Sequence, residues 1–519
     1  MQPDPALASP PLPPPALPLA DLLVISVYLM VMVGVGFWFA RRSSNSAEFT
    51  SAGGALAGWV VGLSIFGTFV SSISFLANPG KSYASNWNPF VFSLSLPVAA
   101  WIATKYFIPM YRRGGHISAY RHLEERFGSW ARFYAGGCFM LTQVARMATI
   151  MYLVALAVSP LTGWSVPAII IGTGLLVTLY TLLGGIEAVI WTDAIQSVVL
   201  TAGLIAAIVT ACWQIPGGFM GVIDTALESD KLSLGSFSLA DSFTTSTFWL
   251  ILIYGLFINL QNFGIDQAYV QRYISAKSDA EAKKSVWLGA LLYVPISAML
   301  FFVGTALFAF YQAMPERLPA GLAADQVFPH FIVQEFPPGL TGLLIASILA
   351  AAMSSVDSSL NSSATLVFED WYKRLINPQP SERQSMMVLY GSTLVFGAIG
   401  SLAALAMIGA QSALDLWWSM AGIFSGGMLG LFLLGLLAPH ATKRSALPAT
   451  LLGIVVIVWL SLSPTQLWPA SLAAYANPLH TNLTIIIGTA TLLITGLLLT
   501  SLVDRGSPIS NRSHESSGR

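Results

Sequence analysis

Charged residues are scarce in this chain: Asp, Glu, Lys and Arg together make up 9% of its 519 residues. A soluble domain averages about 25%, so this shortage excludes an ordinary soluble enzyme or binding domain. The formal net charge is zero, whereas a nucleic-acid-binding protein carries a basic excess. Hydrophobic residues make up 55% of the chain. The composition therefore predicts an all-α polytopic membrane protein in a lipid bilayer, with no nucleic-acid partner.

Cysteine is almost absent as well. The two cysteines, Cys138 and Cys212, both lie in apolar segments, and two isolated residues form neither a disulfide framework nor a metal-ligand pattern. The apolar segments also lack a His-rich cluster and a nucleophile–base pair. We therefore expect that this protein is not an enzyme.

Hydropathy predicts about 13 transmembrane helices. They lie near residues 19–40, 56–78, 86–110, 130–160, 164–183, 188–212, 245–265, 285–313, 338–366, 387–409, 413–436, 446–463 and 483–503. Residues 1–18 are Pro-rich and residues 504–519 are polar, so both are predicted to be disordered tails. Residues 19–503 then form the transmembrane domain.

Basic residues are concentrated in alternate loops of this predicted topology. These loops carry Arg41–Arg42, Lys105 to Arg132, Arg272 to Lys284, Lys373 to Arg383 and Lys443–Arg444. Since basic loops face the cytoplasm, the N-terminus is predicted to lie outside and the C-terminus in the cytoplasm. The predicted location is the cell's inner (plasma) membrane.

The segment from Ala350 to Ser363 is the most informative, because it places polar residues at bilayer depth. Ser354, Asp357 and Ser358 recur at i, i+3 and i+4 and therefore share one helical face. Hydroxyls and a carboxylate are costly there unless they face protein, water or an ion. The pattern favours a sodium site, while a serine face that packs against another helix remains the alternative.

The second predicted span has a glycine and several hydroxyls at its centre, including Gly67, Thr68, Ser71 and Ser74. Gly67–Thr68 marks a candidate break in the helix. A broken membrane helix frees backbone carbonyls for a cation. A tightly packed Gly/Ser face is an equally good interpretation of this segment alone.

Arg146 lies near the centre of an apolar run, where its guanidinium needs a partner. Its planar fork matches a substrate carboxylate, and an intramembrane acid or backbone carbonyls would serve as structural partners. Asp193 either caps a helix or reaches the serine face of the ninth span. Gln261, at the polar end of the seventh span, either contacts substrate or bonds to another helix.

Three stretches together resemble the sodium/solute symporter family. They are Trp59 to Lys81, Tyr180 to Gln196, and Ala350 to Ser363 with the following Phe368 to Lys373. Within that family the chain looks most like the bacterial sialic acid symporters, on account of Gln143 to Ala148 and Tyr269 to Tyr273.

The resemblance implies the leucine-transporter-like fold, with a 5+5 inverted repeat over about residues 56–212 and 245–436. Substrate would lie midway, beside broken spans 56–78 and 245–265. It implies a sodium-coupled symporter that imports a small organic anion, such as sialic acid or another sugar acid, by alternating access and as a monomer. Symport of a neutral solute, or a channel-like or sensor protein of the same fold, is the alternative.

The resemblance also assigns site residues. The main sodium ion (Na⁺) would bind Gly67, Val70, Ala351, Ser354 and Ser355. A second sodium site would use Asp193, Ser354, Asp357 and Ser358. The substrate site would comprise Ser71, Ser74, Arg146, Thr68, Phe69, Ser93 and Gln261.

Some positions depart from the sialic acid members. Asp357 stands where those members carry a serine, so it would either tighten sodium binding or titrate and couple protons. Phe69 replaces a hydroxyl residue, Ser93 a glutamine and Pro89 an aromatic. These changes leave the carboxylate clamp and make a different organic acid an open alternative.

Overall fold

The computed structural model describes residues 17–319, 321–408, 426–465 and 468–504. Apart from one bridge between Leu56 and Ala276, the regular structure of these residues is helical. The two predicted tails lie almost wholly outside the described residues, and the predicted span 413–436 is described only from residue 426 onward.

Fourteen helices among the described residues carry the fold. They are α1 Leu19–Ala40, α2 Gly58–Phe69, α3 Ser72–Ala84, α4 Asn88–Gly114, α5 Ser129–Thr162, α6 Val166–Gln214, α7 Phe248–Ile265, α8 Gln267–Ser275, α9 Asp279–Ala313, α10 Leu340–Ile376, α11 Glu382–Ala406, α12 Gly426–Leu437, α13 Lys443–Leu462 and α14 Leu483–Val503. Shorter helices lie in the connections, at Ser46–Ser51, Arg121–Phe127, Gly218–Glu228 and Ala324–Glu335.

Ten of the described helices are long and apolar enough to cross a membrane, or eleven when the bent pair α2–α3 counts as one span. The predicted number was 13. The difference depends on two elements: α6 is a single element where two spans were predicted, and α12 is described only in part.

Helix α6 folds back on itself at Gly185. With 49 residues it would be about 74 Å long if straight, far more than the ~30 Å core of a bilayer. Tyr180 and Thr192 lie on either side of Gly185, yet their hydroxyls lie 2.7 and 3.5 Å from the same carboxylate oxygen, Oδ2 of Asp357. In a straight helix these residues would be about 18 Å apart. The two arms match the predicted spans 164–183 and 188–212.

The conformation of Gly185 explains this reversal. Its φ of 58° and ψ of −154° lie in a region that is open essentially only to glycine. A Cβ added there would come within 2.8 Å of the Phe49 backbone, so the turn also needs the missing side chain.

Helices α2 and α3 meet at an angle of 56°. The break was predicted near Gly67–Thr68 and lies about three residues later, at Val70 and Ser71, where the backbone leaves the helical conformation. The Ser71 hydroxyl accepts a hydrogen bond from Ser74 N at 3.4 Å and caps α3. A local cap, rather than the glycine, therefore sets the position of the break.

A second interruption separates α7 from α8. The segment 245–265 was predicted to be broken, but α7 is continuous to Ile265 and the interruption falls on Asp266. The Asp266 carboxylate accepts a hydrogen bond from Ala268 N at 2.8 Å and so caps α8. Helix α8 returns into the centre of the molecule, where its residues are almost all buried.

Helix α10 lies at the centre of the described structure. Of its most apolar stretch, 89% is buried, compared with 28% for α1 and for α11. The serine face that starts at Ser354 therefore contacts protein and not lipid, which makes its hydroxyls available to neighbouring helices.

Candidate functional site

The end of α2 presents a backbone carbonyl to the serine face of α10. Ser71 N donates to Phe69 O at 3.2 Å, so the carbonyl of Gly67 is free of the helical pattern at the break. Ser354 Oγ donates to this Gly67 carbonyl at 2.8 Å. The break in α2 and the polar face of α10 therefore meet.

The structure gathers four of the five residues assigned to the main site. Besides the bond to Gly67, the hydroxyls of Ser354 and Ser355 both lie 3.4 Å from Ala351 O. Val70 is fully buried in the break, but among the described residues its carbonyl takes no part in these hydrogen bonds. Serine hydroxyls rotate freely, so they can turn their oxygens toward a cation that binds between α2 and α10.

A buried ion pair lies next to this site. Asp193 Oδ2 is 2.8 Å from Arg272 Nη2, and neither side chain has any exposed surface. The same oxygen accepts a hydrogen bond from Ser64 Oγ at 2.5 Å. Asp193 lies inside the second arm of α6, so it is not a helix cap, and its carboxylate faces the neighbouring helices.

Arg272 is a functional candidate that the sequence reasoning missed. It was counted among the basic loop residues, yet it is fully buried in α8. Its guanidinium donates to Ser64 Oγ at 2.7 Å, to Ala268 O at 2.7 Å and to Ser358 Oγ at 2.6 Å. A buried carboxylate requires a partner, so Asp193 signalled a buried cation, but nothing in the sequence identified Arg272 as that cation.

Asp357 brings a second carboxylate into the same region. It accepts a hydrogen bond from Tyr180 at 2.7 Å, and the Ser358 hydroxyl lies 3.4 Å from its Oδ1. Asp357 is fully buried. When both acids are ionised, they carry two negative charges against the one positive charge of Arg272. Because an uncompensated buried charge is costly, this cluster favours a bound monovalent cation or a proton.

Ser358 connects the two sites. Its hydroxyl donates to Ser354 O at 2.7 Å, accepts from Arg272 and lies 3.2 Å from Thr68 Oγ1. The four residues assigned to the second site therefore lie together. Thr68, which was assigned to substrate, turns its hydroxyl toward this cluster.

Arg146 reaches the break from α5. Its Nη2 donates to Thr68 O at 3.1 Å, and it also attracts the Asp266 carboxylate electrostatically. Only one of its five N–H donors has a hydrogen-bond acceptor among the described residues. The guanidinium is partly buried and retains donors for an anion beside the break.

A row of hydroxyls runs away from the break. Ser71 Oγ lies 3.5 Å from Ser74 Oγ, and the hydroxyl of Tyr293 interacts with both Ser74 and Ser297. Ser93 then donates to Ser297 at 2.7 Å. Ser71, Ser74 and Ser93 thus belong to one polar path, which Tyr293 completes.

Phe69 and Gln261 take different positions. The ring of Phe69 packs against Tyr293, Phe263 and Tyr269, with centroid distances of 5.1, 5.3 and 5.6 Å. Gln261 is buried in α7, and its Oε1 has no hydrogen-bond partner among the described residues. No described hydrogen bond joins the Gln261 side chain to Ser71, Ser74 or Arg146.

Comparison with known proteins identifies the family. The model of the sodium:solute symporter family matches residues 49–453. The chain belongs to the sodium:solute symporter family. A sodium/sialic acid symporter of Proteus mirabilis is 37% identical over 438 residues, which cover 84% of this chain and 88% of that protein. The mouse sodium-coupled monocarboxylate transporter 2 is 30% identical, over 87% of this chain and 73% of that protein.

Solved structures of other symporters share the fold. The structure of a Na⁺-coupled sialic acid symporter in a substrate-bound, outward-open state superposes with a TM-score of 0.86 at 34% identity. The match covers 93% of this chain and 98% of that one. A nucleobase-cation-symport-1 transporter matches with a TM-score of 0.57 at 15% identity, which is a likeness of fold alone. This chain is therefore a multi-pass membrane protein with the architecture of these symporters.

Loss of Arg272 should destabilise the protein strongly. In Arg272→Gln, Asp193 loses its buried partner, and breaking such a pair costs about 3–5 kcal/mol. Thermal unfolding of purified protein should show a large fall in Tm for Arg272→Gln and a smaller fall for the double variant Asp193→Asn/Arg272→Gln. Equal loss in the single and double variants would contradict the pairing.

Proposed function

We propose that this family member is a sodium-coupled symporter that imports a small organic carboxylate, such as sialic acid or another sugar acid. The observation that carries the proposal is the hydrogen bond between Ser354 and the Gly67 carbonyl, freed by the break in α2. The names of the relatives agree with it, since they describe sodium symporters of sialic acid and of monocarboxylates.

In this proposal the main sodium ion binds between α2 and α10. The carbonyls of Gly67, Val70 and Ala351 and the hydroxyls of Ser354 and Ser355 would be its ligands. Freed carbonyls of a broken helix are typical sodium ligands in transporters. An ion held there would fix the break, and with it the adjacent substrate hydroxyls of Ser71 and Ser74.

A second sodium ion would bind beside the buried ion pair. Asp193, Ser354, Asp357 and Ser358 would provide its ligands. Arg272 already contacts Asp193 and Ser358, so the ion would lie on the side of Ser354 and Asp357. The surplus negative charge of this cluster supports a cation there.

Substrate would bind at the break, with its carboxylate on the free donors of Arg146. Ser71 and Ser74 would bind its polar groups. Phe69 places an aromatic cluster beside this position. A smaller monocarboxylate is the second candidate substrate, because the ring of Phe69 offers an apolar contact and occupies volume that a hydroxylated sugar chain would need.

Bound sodium would increase the affinity for substrate, and bound substrate would increase the affinity for sodium by the same coupling free energy, typically about 1–3 kcal/mol. Joint occupancy would then permit the transporter to rock between its outward- and inward-facing states. The sodium gradient and the membrane potential would drive uptake, the latter by about 2.3 kcal/mol per charge per 100 mV.

We also propose the topology that this mechanism needs. The two arms of α6 each cross the bilayer, and α12 belongs to another span, which gives 13 in all. The N-terminus lies outside and the C-terminus in the cytoplasm, across the inner (plasma) membrane. Residues 56–212 and 245–436 form the inverted repeats of a leucine-transporter-like fold, which works as a monomer.

Removal of the Ser354 hydroxyl should weaken sodium and substrate together. We expect the sodium affinity of Ser354→Ala to fall about tenfold, the effect of losing one hydrogen-bonding group on an ion. Uptake by proteoliposomes across a range of sodium concentrations would measure it. Ser363→Ala is the matched control, because that buried hydroxyl on α10 has no partner among the described residues. If uptake by Ser354→Ala kept the sodium dependence of the wild type, the proposed main sodium site would be contradicted.

Replacement of Arg146 should separate carboxylate recognition from the sodium site. Arg146→Ala should reduce uptake of every sugar acid and monocarboxylate by roughly 30-fold or more, and Arg146→Lys should retain part of it. Thermal stabilisation by sodium alone should persist in both variants. Normal carboxylate uptake by Arg146→Ala would return Arg146 to a structural role and point to a neutral solute.

Asp357 should bind sodium as a charged ligand. We expect Asp357→Asn, which keeps the size but removes the charge, to raise the sodium concentration needed for half-maximal uptake. Asp357→Ser, which shortens the side chain, should do the same. Uptake in wild-type proteoliposomes driven by a pH gradient without sodium, and lost in Asp357→Asn, would instead show that this residue carries a proton.

A further inference from the structure

A groove opens on the outside of the helix bundle, away from the serine face of α10. It has a volume of about 780 Å³ and is formed by α1, the start of α2 and the second arm of α6. Its lining is mostly apolar and includes Gly34, Trp38, Trp59 and Trp191. In the proposed topology these three helices cross the membrane, so the groove would face lipid along its apolar wall.

Aromatic rings shape this wall. Trp59 packs edge-on against Trp191 with a centroid distance of 5.7 Å, and Phe39 stacks on Trp191 at 6.3 Å. Trp38 and Trp59 remain 67% and 46% exposed. Exposed tryptophans at the ends of spans are typical of the level of the lipid headgroups. The groove therefore extends from the headgroup level into the apolar layer.

Basic residues lie at one end of the groove. Arg42 lines it and lies 4.0 Å from Glu187, at the outer limit of an ion pair, with 61% of its side chain exposed. Arg41 follows the end of α1 and is exposed. Lys277 is also exposed. Its backbone N–H donates a hydrogen bond to the carbonyl of Leu56, a residue of the groove wall, at 2.9 Å.

We propose that this groove binds one anionic phospholipid. Its phosphate would lie among Arg42, Arg41 and Lys277, and one acyl chain would run along Gly34 and the tryptophans. A soluble anion would make no use of the apolar wall, and a zwitterionic lipid would gain less from the cations at this end of the groove. Glu187 in the lining, with Glu48 near it, offsets part of their positive charge.

The site would act on the same arm of α6 that holds the ion pair. Trp191 and Ile195 face the groove, while Thr192 and Asp193 face the centre and contact Asp357 and Arg272. A lipid in the groove would support this arm from outside. Its binding does not depend on which solute the protein carries.

A groove-filling variant tests the apolar part. A Cβ at Gly34 would meet nothing within 4 Å, so Gly34→Leu should fill the groove without disturbing the fold. Gly172→Leu is the matched control, since this exposed glycine of the first arm of α6 is equally unobstructed. Native mass spectrometry of the full-length protein, titrated with phosphatidylglycerol, should show one tightly held lipid in the wild type and in Gly172→Leu, and its loss in Gly34→Leu.

A charge variant tests the basic end and does not depend on the groove-filling variant. Arg42→Gln should reduce the preference for phosphatidylglycerol over phosphatidylcholine about fivefold, the factor that one basic residue near an anionic lipid contributes. Arg383→Gln is the control, because it is exposed on the same side, next to Glu382, whose carboxylate accepts from Ser46 N at 2.9 Å.

Two results would overturn the proposal. One is equal phosphatidylglycerol binding by the wild type and Gly34→Leu, which would place the lipid elsewhere. The other is equal affinity of the wild type for phosphatidylglycerol and phosphatidylcholine, which would show that the basic end does not select an anionic headgroup.

Discussion

The ion pair between Arg272 and Asp193 is the interaction on which the centre of this transporter depends. Each charge is removed from water completely, so neither is stable there without the other and without further hydrogen bonds. Those bonds come from Ser64 and Ser358. Helices α2, α6, α8 and α10 each contribute one member, and their relative positions are therefore fixed by electrostatics as well as by packing.

The break between α2 and α3 can contribute to a binding site only because it lies beside this rigid centre. A carbonyl released in an apolar region needs a new partner, and the Gly67 carbonyl finds one in Ser354. Its neighbour, the Thr68 carbonyl, is bound by Arg146. The arrangement joins the two proposed ion sites and the proposed anion site through consecutive peptide groups. Movement of the break would therefore change the geometry of all three proposed sites.

Much of this arrangement could be predicted from local pattern. The spacing of Ser354, Asp357 and Ser358 identified the polar face of α10, and two hydropathy peaks identified both arms of α6. The break in α2 was placed three residues early, because glycine was weighted above the cap that Ser71 provides. Arg272 was missed because a basic residue near the end of an apolar run looks like a loop residue. Only the long-range contact with Asp193 distinguishes the two, and sequence spacing does not encode it.

The hairpin of α6 has a mechanical consequence. Its arms diverge from a single glycine, and the hydroxyls of Tyr180 and Thr192 both contact Asp357, so this carboxylate joins the two arms close to their turn. Any change in the charge of the Asp357 carboxylate alters its contacts with both arms at once. Ion binding at the centre would thus change the separation of the two arms of α6, which would pivot at Gly185.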